Sequence, residues 1–98
     1  MAVIVSPQVE TELDEIWLYI ASESSSIEIA DRVTDSITER FLALSKHPYL
    51  GRKRDDLRLG LRSVAVGSYV VIYRIAGNDV QILHVLHGRR DIRAIFRQ

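Results

Sequence analysis

Cysteine is absent from the 98 residues, which rules out disulfides and thiolate metal sites and agrees with a reducing compartment. No stretch of about 18 apolar residues occurs, so no segment reads as membrane-spanning. The opening Met1-Ala2-Val3-Ile4-Val5-Ser6 lacks the basic start and long apolar run of a secretory signal. A soluble, cytoplasmic protein without a membrane partner is the expectation. Proline occurs twice and glycine five times, and neither gathers with serine into a linker. No internal repeat is visible, so residues 1–98 are expected to fold as one domain. A chain of this length buries roughly two-thirds of its unfolded surface, enough for one core without staples.

An excess of either charge is also missing, yet the zero net charge hides a division. Residues 1–45 hold 9 acidic and 2 basic side chains, net −7, whereas residues 46–98 hold 11 basic and 4 acidic, net +7. Such polarity fits a basic half that meets an acidic partner.

Apolar spacing marks the elements. Val3-Ile4-Val5 reads as a short strand, ended by Ser6-Pro7, an N-cap followed by proline at the first helical position. Val9, Leu13, Ile16, Trp17 and Ile20 then form one apolar stripe on a helix. Glu10, Glu12, Asp14 and Glu15 fall in its first turns, where carboxylates suit the dipole. The run Ser22-Glu23-Ser24-Ser25-Ser26 is expected to break this helix and cap a second, whose stripe is Ile29, Ala30, Val33, Ile37, Phe41 and Leu44. His47-Pro48-Tyr49-Leu50-Gly51 stops the second helix near Ser45, because proline cannot continue it. After a basic loop from Arg52 to Arg58, three β-rich runs follow at Leu61 to Val66, Tyr69 to Ala76 and Val80 to His87. Gly67-Ser68 and Gly77-Asn78 join them as tight hairpins. The predicted fold is α+β in the order β-α-α-β-β-β, with a helical hairpin on one face of a mostly antiparallel sheet and a short helical tail after Gly88.

Two-residue turns pair Val66 with Tyr69 and Ala76 with Asp79, and strict alternation then sorts the side chains. Val64, Val66, Tyr69, Val71, Tyr73, Ile75, Val80, Ile82, His84 and Leu86 are expected beneath the helices. Leu61, Ser63, Ala65, Val70, Ile72, Arg74, Gln81, Leu83, Val85 and His87 fall on the other face. Two helices cover only one side, so the second face is expected to stand open as an apolar binding floor, with closure by the folded-back tail as the alternative.

Few residues suggest reaction chemistry. No G-x-S-x-G, P-loop or G-x-G-x-x-G motif is present. His84 and His87 lie three apart on one strand and point to opposite faces, so they cannot chelate one ion. His84 is expected to be a hydrogen-bonded core histidine. No metal, cofactor or catalytic residue is predicted. Arg52-Lys53-Arg54 is followed by Asp55-Asp56, which weakens its pull on nucleic acid. The strongest local signal is the strand end, where His87-Gly88-Arg89-Arg90-Asp91 sets arginines beside apolar surface, as at protein interfaces.

Several motifs in order carry a family likeness. They are Glu15-Ile16-Trp17-Leu18-Tyr19-Ile20-Ala21, His47-Pro48-Tyr49-Leu50-Gly51-Arg52, Gly60-Leu61-Arg62-Ser63, Gly67-Ser68-Tyr69-Val70-Val71-Ile72-Tyr73-Arg74 and Val85-Leu86-His87-Gly88-Arg89-Arg90-Asp91-Ile92. Together they resemble ParE toxins of the RelE/ParE toxin–antitoxin superfamily over nearly the whole chain. The resemblance implies a toxin that inhibits DNA gyrase and is neutralised by a ParD-like antitoxin, in a heterotetramer or larger complex. It implies contact with DNA only through the antitoxin or gyrase. Under this reading Arg74, His87, Arg89, Arg90, Asp91 and Phe96 contact the target. Leu18 and Ile27 on the helices, with the floor of Leu61, Val70, Ile72, Leu83 and Val85, hold the antitoxin.

The superfamily's other branch, resembling RelE, cuts messenger RNA on the ribosome and needs a general base, a general acid and phosphate-holding cations. Fitting its pattern to this chain places Leu61 and Ser63 where that branch has lysines and Val70 where it has a strand arginine. Arg90 matches its tail arginine, and Phe96 replaces its tyrosine. Arg62, Arg74 and His87 keep a ribonuclease reading as the alternative, and an inactive remnant that only binds antitoxin is a third.

Overall fold

The computed structural model describes residues 1–97. Its elements are β1 (Ala2–Val5), α1 (Pro7–Ser24), α2 (Ile27–Lys46), β2 (Arg52–Lys53), β3 (Leu61–Val66), β4 (Tyr69–Ala76), β5 (Asp79–His87) and α3 (Ile92–Ile95). The expected α+β order is present, with one addition: the two residues of β2, expected inside a basic loop, pair with Ser63 and Arg62 of β3. The sheet runs β1-β5-β4-β3-β2, with β1 parallel to β5 and the other pairs antiparallel.

Local chemistry starts and stops the helices as the sequence predicts. The Ser6 hydroxyl accepts the Val9 amide and Pro7 opens α1. The break falls within the expected serine run: α1 persists to Ser24, Ser25 turns into the left-handed region at φ 53°, and Ser26 caps α2 by accepting the Ile29 amide. This two-residue connection forces the helices antiparallel, and the Trp17 indole donates across them to Asp31 at 2.8 Å. Val9, Ile16, Ile37, Phe41 and Leu44 then pack on Tyr69, Val71, Tyr73, Val80, Ile82 and Val85.

The loop after α2 is tied to the sheet through Tyr73. Its hydroxyl donates to the Pro48 carbonyl at 2.8 Å and accepts the Gly51 amide at 2.8 Å. Burial pushes the Tyr73 phenol above its ordinary pKa, although the Gly51 amide opposes the shift. A Cβ on Gly51 would meet the Tyr73 hydroxyl at 2.6 Å and the Ser63 carbonyl at 2.7 Å, so only glycine fits.

Both predicted turns form and both set the predicted pairs, Val66 with Tyr69 and Ala76 with Asp79. The alternation between them is broken, however. Ile72 faces His84 while Tyr73 faces Ile82, which leaves Leu83 without a cross-strand partner. One inserted residue reverses every side chain beyond it. Val85 therefore lies beneath the helices at 1% exposure, and His87 shares that side with Tyr69. His84 and Leu86 move to the opposite face. The expected placement of these four residues is corrected by the bulge.

The expected open floor is also corrected. Ile92, Ile95 and Phe96 of the tail, with Leu57 of the loop, close over Leu61, Ile72 and Leu86 to form a second, smaller core. Leu61 and Ile72 are buried, and Val70 and Leu83 are half-buried against this cluster. Asp91 caps the tail helix by accepting the Ala94 amide. Leaving that much aliphatic surface in water is costly, and a four-residue helix suffices to cover it.

Candidate functional site

The bulge has a polar consequence on α1. Strand β1 ends at Val5, so the outer edge of β5 beyond Ile82 has no neighbouring strand. The Ser6 hydroxyl donates to the Leu83 carbonyl at 3.4 Å, and Glu12 takes over from there. One Glu12 oxygen accepts the Val85 amide at 2.8 Å, and the other lies 2.8 Å from His84 Nδ1. At 7% exposure this carboxylate is built into the fold, a role beyond the favourable place in the helix dipole that the sequence suggests for it. A signal for it existed: Glu12 sits three residues after Val9 and four before Ile16, on the buried stripe. His84 is a hydrogen-bonded, half-buried histidine whose ring meets Phe96 edge-on at 5.4 Å.

Beside this edge an open groove runs between α1 and the end of β5. One lobe is bordered by Glu15, Ile16, Tyr19, Tyr69, His87, Arg89 and Arg90. A second lobe continues past Ile20, Val33, Val66 and the Gly67-Ser68 turn, and Tyr19, Tyr69 and His87 border both. Tyr69 and His87 meet edge-on at 5.3 Å, and burial pushes the Tyr69 phenol above its ordinary pKa. The His87 ring is held from behind, where Nδ1 accepts the Arg89 amide at 3.1 Å. Arg89 and Arg90 are exposed, and among the described residues neither forms an ion pair.

The predicted target-contacting residues do not form one edge. His87, Arg89 and Arg90 line the groove together. Arg74 donates to Gln81 at 2.7 Å on the opposite face, and Gln81 is six residues, roughly 20 Å, from His87 along the strand. Asp91 is spent on capping α3. Phe96 is half-buried between His84 and the Arg58 guanidinium, which lies 5.5 Å from its ring centre. Of the predicted antitoxin-contacting residues, Leu18 and Ile27 are open on the helices at 59% and 62% exposure. The floor residues lie in the two cores already described.

The sheet face beneath the tail carries little that resembles nuclease machinery. Leu61 and Ser63, at the positions compared above with lysines, are both buried. The nearby Arg54 donates to Ser63 at 3.3 Å and pairs with Asp56 at 3.1 Å, and Asp56 also faces Arg93 at 3.4 Å. The Arg54 bond holds the Asp56 carboxyl below its ordinary pKa. Among the described residues, no cluster of three or more His, Cys, Asp or Glu side chains is poised for a metal. No helix among them is long and apolar enough to cross a membrane.

Comparison with known proteins agrees with this architecture. A family model described as the ParE toxin of the type II toxin–antitoxin system, parDE, matches residues 3–92. The chain is 38% identical over 92 residues to Toxin ParE3 of Caulobacter vibrioides, spanning 94% of this chain and 91% of that one. It is 33% identical over 90 residues to Toxin ParE1 of the same organism, spanning 92% of each. Toxin ParE1 of Mycobacterium tuberculosis is 27% identical over 90 residues, 91% of each. A solved structure titled as the chromosomal ParDE TA system from P. aeruginosa superposes with a TM-score of 0.79, covering 89% of this chain and 95% of that one. Its 20% identity makes this a likeness of fold.

Proposed function

Since the chain belongs to the ParE toxin family of type II toxin–antitoxin systems, we propose that it acts in the cytoplasm by binding and inhibiting DNA gyrase, without catalysis, and is neutralised by a ParD-like antitoxin. The observation that carries the non-catalytic part is the state of Leu61 and Ser63. Both are buried, Leu61 beneath the tail and Ser63 beside Arg54, where the RNA-cutting branch needs exposed cations. A phosphodiester in transit must have its growing negative charge met by donors that can reach it, and two buried uncharged side chains supply none. Val70 and Phe96 extend the same exchange of chemistry for apolar packing.

His87, Arg89 and Arg90 serve as polar anchors for the target, since they share one accessible groove. Leu18 and Ile27 remain suited to an antitoxin arm because they are apolar, exposed and unclaimed by either core. The test is a pair of assays on purified protein. Supercoiling by gyrase is expected to fall with added toxin while ribosome-bound message stays intact. Ribosome-dependent cleavage would transfer the protein to the endonuclease reading. Unimpaired growth on induction without antitoxin would mark it as an inactive remnant.

A further inference from the structure

At the far edge of the sheet from β1, residues 52–62 hold five basic and two acidic side chains, net +3. The sequence sets Asp55 and Asp56 against this charge, but the fold turns both aside. Asp56 accepts from Nε and Nη2 of Arg54 and also faces Arg93, while Asp55 accepts the Gly60 amide at 3.2 Å and closes its own loop. Arg52, Lys53, Arg58 and Arg62 remain, and among the described residues none of them forms an ion pair. We propose that this edge, β2 with the loop that follows it, binds the phosphate backbone of duplex DNA directly and without regard to base sequence. The contact stands apart from the gyrase reading, since it needs no second protein, and it departs from the expectation that the chain meets DNA only through other proteins.

Three features of the edge carry it. The first is that its cations lie on both faces. Arg52 stands opposite Ser63 and Lys53 opposite Arg62, so the two neighbours in β2 point to opposite sides of the sheet. Arg58 joins the Arg52 side, over Phe96 of the tail, and Arg62 holds the other side, 4.9 Å from the Tyr49 ring centre and donating to the Gly51 carbonyl at 2.8 Å. Cations on both faces of a thin edge match the two rows of phosphates that border one groove, and the major groove, about 12 Å wide, admits a two-stranded ribbon. An acidic protein surface offers no such pair of rows.

The second feature is a backbone donor. The Arg54 amide donates inward to the Leu61 carbonyl at 2.8 Å, so alternation turns the Lys53 amide outward, on the side of β2 where the sheet ends. Backbone amides are regular partners of phosphate oxygens. The third is Leu59, which is 86% exposed beside Gly60 in the left-handed region at φ 87°. An apolar tip among cations gains from packing on sugars and base edges inside a groove. The carboxylates of Glu28, Asp31, Asp35 and Glu39 gather on α2, in the helical layer, and repel DNA from that side.

Fluorescence anisotropy of a labelled duplex of mixed sequence, titrated with the full chain at several salt concentrations, tests the assignment. Four phosphate contacts predict a slope of about −3 to −4 for the logarithm of the binding constant against that of salt. Arg52→Ala with Lys53→Ala is expected to weaken binding at least about tenfold at low salt and to reduce the slope by about 2. Leu59→Ala should weaken binding about fivefold and leave the slope unchanged. Arg32→Ala with Arg40→Ala, which removes the same two charges from α2, is expected to leave binding unaltered. Thermal melts of every variant verify that the fold is intact. Duplex binding that the Arg52 and Lys53 double variant retains, or that the α2 variant loses equally, would overturn the edge assignment. Wild-type protein that ignores the duplex at low salt yet binds polyglutamate would overturn it in favour of an acidic protein partner, and neither result touches inhibition of gyrase, which is read in the separate supercoiling assay.

Discussion

Glu12→Ala tests the idea that a buried carboxylate completes the sheet. The substitution removes the acceptor of the Val85 amide, which lies at a residue 1% exposed. A buried donor left without a partner costs about 1–3 kcal/mol. The second bond, to His84 Nδ1, involves a charged acceptor, and such bonds contribute about 1.5–3 kcal/mol. His84 is partly exposed and can turn to water, so the lower end of that range applies. The combined loss is about 3 kcal/mol, which for a domain of this size lowers Tm by roughly 12–24 °C. Glu12→Gln keeps a carbonyl for Val85 and offers His84 an amide donor, so its cost is expected near 1 kcal/mol. Urea unfolding followed by circular dichroism measures both values, and the Val85 amide resonance reports whether the bond is gone. A Glu12→Ala protein within 1 kcal/mol of wild type, or one matched by Glu12→Gln, would show that the edge is sealed by something other than this carboxylate.

Three further outcomes follow from the same structure. Gly51→Ala is expected to cost about 1–3 kcal/mol through overpacking against Tyr73 and Ser63. Combined with Tyr73→Phe it should cost less than the sum of the two single changes, since removing the hydroxyl relieves part of the clash, and a double-mutant cycle by urea unfolding reads this directly. Ile92→Ala, in the small core beneath the tail, is expected to cost about 2–3 kcal/mol and to raise binding of an apolar dye, because Leu61, Ile72 and Leu86 lose their cover; unchanged dye fluorescence would mean that the tail does not close this face. For Asp56, whose carboxyl is held below its ordinary pKa in the fold, the stabilisation is present above the unfolded value near pH ~4 and is lost as pH falls through the lowered folded value. Asp56→Asn should therefore flatten the acid limb of Tm against pH, and an identical acid limb would remove Asp56 from the account.

Much of the architecture is legible in the residue pattern because its causes are local. The spacing of Val9, Leu13, Ile16 and Ile20 specifies a helix face, Ser6-Pro7 its start, and His47-Pro48 the end of the second helix. Gly67-Ser68 and Gly77-Asn78 set two hairpins with the right pairs. The arginines after Gly88 and the exposed Leu18 and Ile27 were also identifiable, since surface charge and apolar residues off the stripe can be seen without coordinates.

The remaining features arise from partnership between distant segments. Leu83 is as ordinary a strand residue as Ile82, and its bulge exists only in how β5 pairs with β4, so nothing nearby in sequence announces that Val85 turns inward and Leu86 outward. Glu12 becomes structural because β1 ends four residues into its run alongside β5, a mismatch of strand lengths that leaves one amide unpaired 73 residues away. The tail's four-residue helix is too short to form by propensity, and it acquires its place from the aliphatic surface it covers. Composition and periodicity determine which segments coil and which extend, because those preferences act within a few residues. Which faces meet water is decided when the whole chain closes, because burial is shared among segments far apart in the sequence.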